Sequence, residues 1–309
     1  MRAVVFAYHN VGARGLRTLL AAGMQVELVV THPDDPQETI WFDSVAAVAA
    51  EHGIPLQLVD MVVPDSVIER VETIAPDYLF SFYFRRMLPA RLLAAARLAA
   101  LNLHGSLLPK YRGRVPVNWA VLHGERETGA TLHLMEAKPD AGDIVAQQAV
   151  PILPDDTARE VFDKVTVAAE IALSGALPEL MQGRVPRRPN RLSDGSYFGG
   201  RKPEDGRIDW NAPAAAVYNL IRAVAPPYPG AFFETGGHRF IVARARPARP
   251  ELASQLPRAA GVGVHVAADQ LLARCGDGLT LHLHELWLAD QPGLALSPRQ
   301  YLQFTSQQP

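Results

Sequence analysis

An amide and an imidazole side chain stand two residues apart at the end of one predicted strand. The segment from Ala100 to His104 reads as a strand, so Asn102 and His104 point to the same face of it. Glycine and proline interrupt residues 105–113, and the strand therefore has to end there. An amide beside an imidazole at a strand end suits a reaction that forms an oxyanion and moves a proton.

A carboxylate could complete this pair. Asp140 follows a second predicted strand, Thr131 to Glu136, and could reach His104 across neighbouring strand ends. There it would orient the imidazole and favour its protonated form. From the pattern alone the set of Asn102, His104 and Asp140 is only suggestive, because a His that follows a strand is usually a loop or cap residue.

Other polar residues have a structural interpretation beside the functional one. Lys110, Arg112 and Arg114 lie in the loop after the strand, where cations are either solvated or bind a ligand. His282 and His284 have the strand spacing of a metal pair, but no third ligand is evident, which favours an exposed face.

Two further signals have little support as sites. The segment from Gly12 to Gly15 lacks the dinucleotide fingerprint, which argues against hydride chemistry. Cys275 lies far along the chain from the other candidates, so a nucleophile role has little support.

Composition limits the class of protein. The 309 residues allow two domains, or one with an appendage, and 48% hydrophobic residues exclude general disorder. With 30 basic against 32 acidic residues, the chain lacks the basic excess of a nucleic-acid binder. The single Cys275 excludes an internal disulfide framework and a cysteine-built zinc site. No apolar run spans a bilayer and no secretory signal precedes the first strand, so a cytoplasmic protein without membrane insertion is expected.

Strands and helices alternate over the first 150 residues. This order predicts an α/β fold with a doubly wound, mostly parallel, Rossmann-like sheet, in which reactive groups gather at the carboxyl ends of strands. The predicted strands are Ala3 to Tyr8, Gln25 to Thr31, Leu56 to Val59, Tyr78 to Phe84 and Ala100 to His104, and the predicted helices are Gly12 to Ala22, Asp43 to His52, Ser66 to Ile74 and Arg91 to Ala99.

The second half of the chain changes character. Thr157 and Glu160 form a capping box for a helix, and an Arg- and Pro-rich stretch follows it. These features set a catalytic domain at 1–190, a linker at 191–200, a small β-rich, OB-like domain at 201–300 and a frayed tail at 301–309. Gly236 and Gly237, between strand-like segments, indicate a hairpin in the β-rich domain.

These motifs together resemble a known family. The run from Asn102 to Pro109, followed by Asp140 to Ile144, is similar to the 10-formyltetrahydrofolate-dependent formyltransferases. The likeness continues through Gly206 to Trp210 and Tyr228 to Phe232, and so covers nearly the whole chain, to about residue 290.

The resemblance implies a role for each matching residue. Asn102 would stabilise the oxyanion, His104 would handle the proton and Asp140 would raise the pKa of His104. The formyl donor would be 10-formyltetrahydrofolate, with no metal. The resemblance places Arg86, Met87, Leu88, Arg114, Glu136, Ala137, Lys138, Pro139 and Asp140 along the folate site.

Within the family, the chain most resembles the branch that formylates UDP-4-amino-4-deoxy-L-arabinose, the formyltransferase half of the bifunctional polymyxin-resistance enzyme. Phe6 to His9 and Lys110 to Arg114 are similar to that branch. The implied role is lipid A modification and resistance to cationic peptides. The dehydrogenase-decarboxylase half of that enzyme lies beyond this chain, so that activity is expected on another polypeptide.

Several alternatives stay open. The acceptor could be another nucleotide-linked 4-amino sugar, or initiator methionyl-tRNA, and the chain could be a homo-oligomer. Between Arg17 and Arg70 there are nine acidic residues and no Lys or Arg, and the stretch from His32 to Glu38 is short and acidic. That surface would repel a nucleic-acid backbone, although the basic stretch from Arg184 to Arg191 could attract one. A binding protein without catalysis and a NAD-linked dehydrogenase are the remaining alternatives.

Overall fold

The computed structural model describes residues 1–35 and 40–305, which form two compact units. The first unit comprises Met1–Pro116, Glu127–Pro151 and Phe162–Gly199, and the second comprises Val117–Arg126, Ile152–Val161 and Gly200–Pro309. Pro36, Gln37 and Glu38, part of the acidic stretch noted in the sequence, lie outside the described residues.

The first unit is built on a seven-stranded sheet with the order β3-β2-β1-β4-β5-β7-β8. The first five strands of that order are parallel, and β7 and β8 are antiparallel to their neighbours. The strand bounds are β1 Arg2–Ala7, β2 Gln25–Thr31, β3 Leu56–Leu58, β4 Tyr78–Phe82, β5 Ala99–His104, β7 Glu127–Leu134 and β8 Ile144–Pro151. The predicted Rossmann-like architecture is confirmed.

The central strands form the core of this unit. Phe6, Tyr78, Phe80 and Phe82 are fully buried, as expected for parallel strands that are covered on both faces. The helices that follow the strands are α1 His9–Ala21, α2 Val45–Glu51, α3 Asp65–Ile74 and α4 Ala90–Leu93, and α6 Ala158–Leu180 begins in the second unit and continues in the first.

One predicted helix is wrong in length. The alanine-rich segment predicted as a helix from Arg91 to Ala99 is helical only to Leu93. Beyond it the backbone N–H groups of Arg97 and Leu98 donate to the carbonyls of Pro76 and Asp77, at 2.9 Å each. Pairing with the segment before β4 leads the chain into β5, and this tertiary contact overrides the local helix propensity.

The second unit contains a five-stranded antiparallel, curled sheet with the order β10-β11-β14-β13-β12, which confirms the predicted β-rich, OB-like fold. The strand bounds are β10 Ala231–Thr235, β11 His238–Pro247, β12 Gly263–Ala267, β13 Gln270–Arg274 and β14 Thr280–Leu288. The predicted hairpin joins β10 to β11, and Gly236 and Gly237 have φ of 56° and 75°, the left-handed pair that a two-residue turn requires.

Glycine adopts both of these φ values without strain.

Four helices accompany these strands. Their bounds are α5 Pro116–Leu122, α7 Ala214–Val224, α8 Pro250–Ala253 and α9 Pro298–Thr305. The capping box predicted before α6 is confirmed, because Thr157 N–H donates to Glu160 at 2.7 Å and Glu160 N–H donates to the Thr157 hydroxyl at 3.4 Å.

The predicted frayed tail is wrong up to Thr305. Residues 298–305 form α9, in which Tyr301 is buried and packs edge-on against Phe240, with ring centroids 5.3 Å apart. Burial of an aromatic ring fixes this last turn of chain against the sheet. Residues 306–309 lie outside the described part of the chain.

The segment that composition marks as a linker has secondary structure of its own. Residues Tyr197–Phe198 form β9, which pairs in parallel with β6, Arg112–Gly113, in the loop after β5. None of the helices in residues 1–35 and 40–305 combines the length and hydropathy needed to cross a membrane.

Candidate active site

Two neighbouring strands place four polar side chains at one end of the first sheet. β5 and β7 pair antiparallel, with Asn102 opposite His133 and His104 opposite Thr131. Paired residues on adjacent strands point to the same face, so the alternation of each strand gathers all four side chains. They lie at the carboxyl end of β5, where the sequence predicts a site.

His104 is the buried centre of this group. Its side chain is 7% exposed, and its Nε2 donates to the Tyr111 carbonyl at 2.8 Å while its Nδ1 lies 3.4 Å from Asp140 Oδ1. Burial lowers the pKa of His104, and the Asp140 carboxylate and Tyr111 carbonyl oppose that effect without cancelling it. The sequence predicts a raised pKa from Asp140 alone, and burial reverses the net direction.

Asp140 lies between two imidazole rings. Its Oδ1 is 3.4 Å from His104 Nδ1 and 3.4 Å from His133 Nε2, and its Oδ2 accepts a 2.9 Å hydrogen bond from Gly113 N–H. Burial by itself would raise the pKa of Asp140, but His104, His133 and the Gly113 amide hold it well below its usual range. A carboxylate that stays ionised can therefore face His104 throughout the neutral pH range.

His133 is the residue that the sequence interpretation missed. Its Nδ1 lies 2.7 Å from the Leu134 carbonyl oxygen, and its Nε2 lies within hydrogen-bond distance of Asn102 Nδ2, at 3.0 Å. The Asn102 amide carries a second N–H that this bond leaves available. The alternation of Thr131 and His133 within an apolar strand was the signal that could have found them.

Thr131 holds the loop that follows His104. Its hydroxyl donates to the Ser106 carbonyl at 2.6 Å and accepts from Leu108 N–H at 3.1 Å. Gly105 lies against the Tyr83 hydroxyl, with which an added Cβ would collide unless the tyrosine side chain moved. The loop is thereby fixed directly beside the imidazole.

The residues predicted to contact the pterin follow the adjacent strand β4. Arg86 donates from Nε to the Asp60 carbonyl at 2.8 Å, Met87 is exposed, and Leu88 packs in the hydrophobic core.

The other residues predicted to line the folate site lie close in the chain to Asp140 or to Gly113. Arg114 is exposed and donates from its backbone N–H to the Phe198 carbonyl at 2.9 Å. Glu136, Ala137 and Lys138 are exposed, and Pro139 is half-buried, in the loop that ends at Asp140. Within the described ranges, no side-chain hydrogen bond or ion pair joins Arg114 or residues 136–139 to Asn102, His104 or Asp140.

The remaining candidates do not form a second centre of this kind. The rings of His282 and His284 have centroids 4.1 Å apart and are tilted by 45° to each other, and Nε2 of His282 lies 2.8 Å from Gln270 Oε1. Cys275 is buried, and burial raises the pKa of its thiol to about 11, which disfavours a thiolate. Among residues 1–35 and 40–305, no group of three or more His, Cys, Asp or Glu side chains could hold a metal ion.

The arrangement can move a proton next to an amide donor. Both ring nitrogens of His104 face oxygen atoms, which favours a proton on each, while burial favours its release. A ring under these opposing influences can take up a proton and pass it on. The free N–H of Asn102 can stabilise an oxyanion that forms beside it.

Comparison with known proteins identifies the family. Residues 1–177 match the formyl transferase family model, and residues 201–298 match the model of the formyl transferase C-terminal domain. The chain therefore belongs to the formyl transferase family and is a formyltransferase.

Solved structures share its fold. An N-formyltransferase from Helicobacter canadensis, in complex with folinic acid and dTDP-3-aminofucose, matches with a TM-score of 0.69 at 18% identity, over 91% of this chain and 98% of that chain. A 4-N formyltransferase from Francisella tularensis matches with a TM-score of 0.64 at 19% identity, over 79% and 96%. HypX from Aquifex aeolicus, in complex with tetrahydrofolic acid, matches with a TM-score of 0.66 at 19% identity, over 98% of this chain and 47% of that chain.

Proposed function

We propose that this formyltransferase moves the formyl group of 10-formyltetrahydrofolate to the 4-amine of a sugar nucleotide, UDP-4-amino-4-deoxy-L-arabinose. The observation that carries the proposal is the convergence of Asn102, His104 and Asp140 at the end of β5. The folate and the amino-sugar nucleotide in the Helicobacter canadensis structure support the same two substrate classes.

The proposed reaction begins when the neutral amine attacks the formyl carbon. The carbonyl electrons move to oxygen, and the free N–H of Asn102 stabilises the oxyanion. His104 takes the proton that the attacking nitrogen loses and delivers one to N10 of the folate. The bond between the formyl carbon and N10 then breaks, which leaves the formamide and tetrahydrofolate.

Asp140 supports this proton transfer without reacting itself. Its charge stabilises the protonated form of His104, which burial disfavours, and so keeps proton uptake accessible. Its own contact with Gly113 N–H holds the carboxylate in place while the imidazole changes charge. In this proposal the domain at residues 1–190 carries out catalysis. The folate is bound along Arg86–Leu88, Arg114 and residues 136–140.

Charge supports a sugar nucleotide over tRNA as the acceptor. Between Arg17 and Arg70 the sequence has nine acidic residues and no Lys or Arg, a distribution that repels a phosphate backbone. A sugar nucleotide carries only one diphosphate, for which a few arginines suffice. The proposed setting is the cytoplasm, in lipid A modification that gives resistance to polymyxin and other cationic peptides.

Formyl transfer between the two proposed substrates tests the function. Purified protein is incubated with 10-formyltetrahydrofolate and UDP-4-amino-4-deoxy-L-arabinose, and tetrahydrofolate release and sugar mass are measured. We expect a sugar nucleotide that is heavier by one formyl group. Parallel reactions contain a dTDP-linked 4-amino-4,6-dideoxyhexose or initiator methionyl-tRNA.

The parallel reactions separate the parts of the proposal. Product with another amino sugar alone, or with methionyl-tRNA alone, would keep the donor and overturn the acceptor. If none of the three acceptors leads to release of tetrahydrofolate, the proposed formyl transfer itself would be overturned.

A further inference from the structure

Arg112 is a buried cation for which residues 1–35 and 40–305 supply no side-chain partner. The residue is 8% exposed, and its Nε is buried without a hydrogen-bond acceptor. In the described ranges its guanidinium has neither a carboxylate at ion-pair distance nor a hydrogen-bond acceptor, and its backbone N–H donates to the Ser196 carbonyl at 3.0 Å. Burying an uncompensated charge is costly, so proteins normally pair such a group.

Arg222 shows the arrangement that Arg112 lacks. It is buried to the same degree, at 7% exposed, in the second unit. Its Nη1 donates to the Asp156 carbonyl at 2.8 Å and its Nη2 donates to Asn219 Oδ1 at 2.6 Å. The Nε of Arg222 is buried without an acceptor, as is that of Arg112, but neutral acceptors hold both Nη groups of Arg222, whereas none among the described residues holds those of Arg112.

The position of Arg112 connects it with the reaction. The carbonyl of the preceding Tyr111 accepts from His104, and the N–H of the following Gly113 donates to Asp140. Arg112 therefore lies on the short segment that holds both the imidazole and the carboxylate. An anionic group of a ligand bound at His104 would come close to this segment.

We infer that Arg112 binds the diphosphate of the nucleotide-linked sugar, an inference that rests on the proposed function. The diphosphate is joined to the sugar that carries the reacting amine, one ring away from His104. The folate carboxylates lie farther from the reacting N10, beyond a benzoyl ring and an amide bond. The planar fork of a guanidinium matches phosphate oxygens with two parallel hydrogen bonds.

Binding measurements on nucleotide fragments test this inference. UDP, dTDP and uridine are titrated into the wild-type protein, Arg112→Met and Arg112→Lys by calorimetry. We expect Arg112→Met to bind UDP about ten- to a hundredfold more weakly, since a charge-assisted contact is lost, and to bind uridine unchanged. Arg112→Lys should recover part of the affinity, because it keeps the charge and loses the fork. Arg187→Met, which removes an exposed cation, is the matched control.

Thermal unfolding gives a readout that a structural role would not produce. Removing an unpaired buried charge should leave the unfolding temperature of the free protein unchanged or higher in Arg112→Met. UDP should raise the unfolding temperature of the wild type and have little effect on the variant. A variant that unfolds at a much lower temperature without ligand would indicate a structural role and overturn the inference.

The remaining outcomes separate this inference from the proposed function. UDP or dTDP affinity that depends on Arg112, in a protein that does not formylate the sugar, would support the inference and overturn the proposed activity. UDP binding within twofold of the wild type would overturn the inference, as would a loss confined to the affinity for 10-formyltetrahydrofolate. Absence of UDP and dTDP binding to the wild type would overturn it as well.

Discussion

Each unit of the molecule contains a close pair of histidines, and the two pairs differ in what surrounds them. The rings of His104 and His133 have centroids 6.4 Å apart, with the Asp140 carboxylate 3.4 Å from a nitrogen of each. The rings of His282 and His284 are closer, at 4.1 Å, and in the described ranges neither ring has a carboxylate at ion-pair distance.

Burial and charge separate the pairs further. His104 and His133 are buried, whereas His282 is half-buried and His284 is exposed. Burial lowers the pKa of His104, His282 and His284, but only His104 has an adjacent carboxylate that opposes the effect strongly. In the proposed mechanism, two neighbouring imidazoles alone do not make a proton-transfer site, and the buried carboxylate between His104 and His133 provides the difference.

The largest expected effect comes from removing the central imidazole. His104→Ala should reduce formyl transfer by about 10²- to 10⁴-fold, because no other group replaces its proton transfer. His282→Ala, from the second pair, is the control and should retain wild-type activity. The rates are measured at saturating substrates, with circular dichroism to verify folding. If His104→Ala keeps more than about a tenth of the wild-type rate, general acid–base catalysis by this residue is refuted.

The amide partners of the two pairs give the next largest contrast. Asn102 Nδ2 lies 3.0 Å from His133 Nε2, and Gln270 Oε1 lies 2.8 Å from His282 Nε2. Asn102→Ala should lower kcat by about 10²- to 10³-fold, the usual cost of losing an oxyanion donor, and Gln270→Ala should leave kcat unchanged. Equal effects in the two variants would show that the amide acts through stability in both places.

The carboxylate between the rings should be visible in the pH dependence. Asp140→Asn removes a negative charge that raises the pKa of His104, so the limb of the pH–rate profile that reports His104 should move to lower pH. Asp155→Asn, which changes a carboxylate nearer to His284, should leave that limb in place. An unchanged profile in Asp140→Asn would mean that Asp140 acts elsewhere.

The smallest predicted effect concerns an exposed cation. Arg114→Ala should raise the KM for 10-formyltetrahydrofolate by about tenfold with little change in kcat, since it would lose one charge-assisted contact to the donor. Arg244→Ala, an exposed cation in the second unit, should leave both constants unchanged. Steady-state kinetics with the acceptor saturating distinguish the two. An unaltered donor KM in Arg114→Ala would assign that cation to the acceptor or to solvent.

Much of the fold follows from local patterns. Buried runs such as Tyr78–Phe82 predict parallel strands, and the glycine pair at 236–237 predicts its hairpin, because each pattern depends on neighbours in the chain. The helix predicted over residues 91–99 ends early, since contacts with residues 76 and 77 decide where it stops.

The candidate site divides in the same way. The sequence by itself determined that Asn102 and His104 share a face, because strand alternation fixes side-chain direction, and family resemblance added Asp140. Only the tertiary structure decided that His133 stands opposite Asn102 and that the Arg112 guanidinium is buried without a partner among the described residues. Strand register and burial depend on residues far apart in the chain, and these long-range contacts also set the balance of burial and charge at His104.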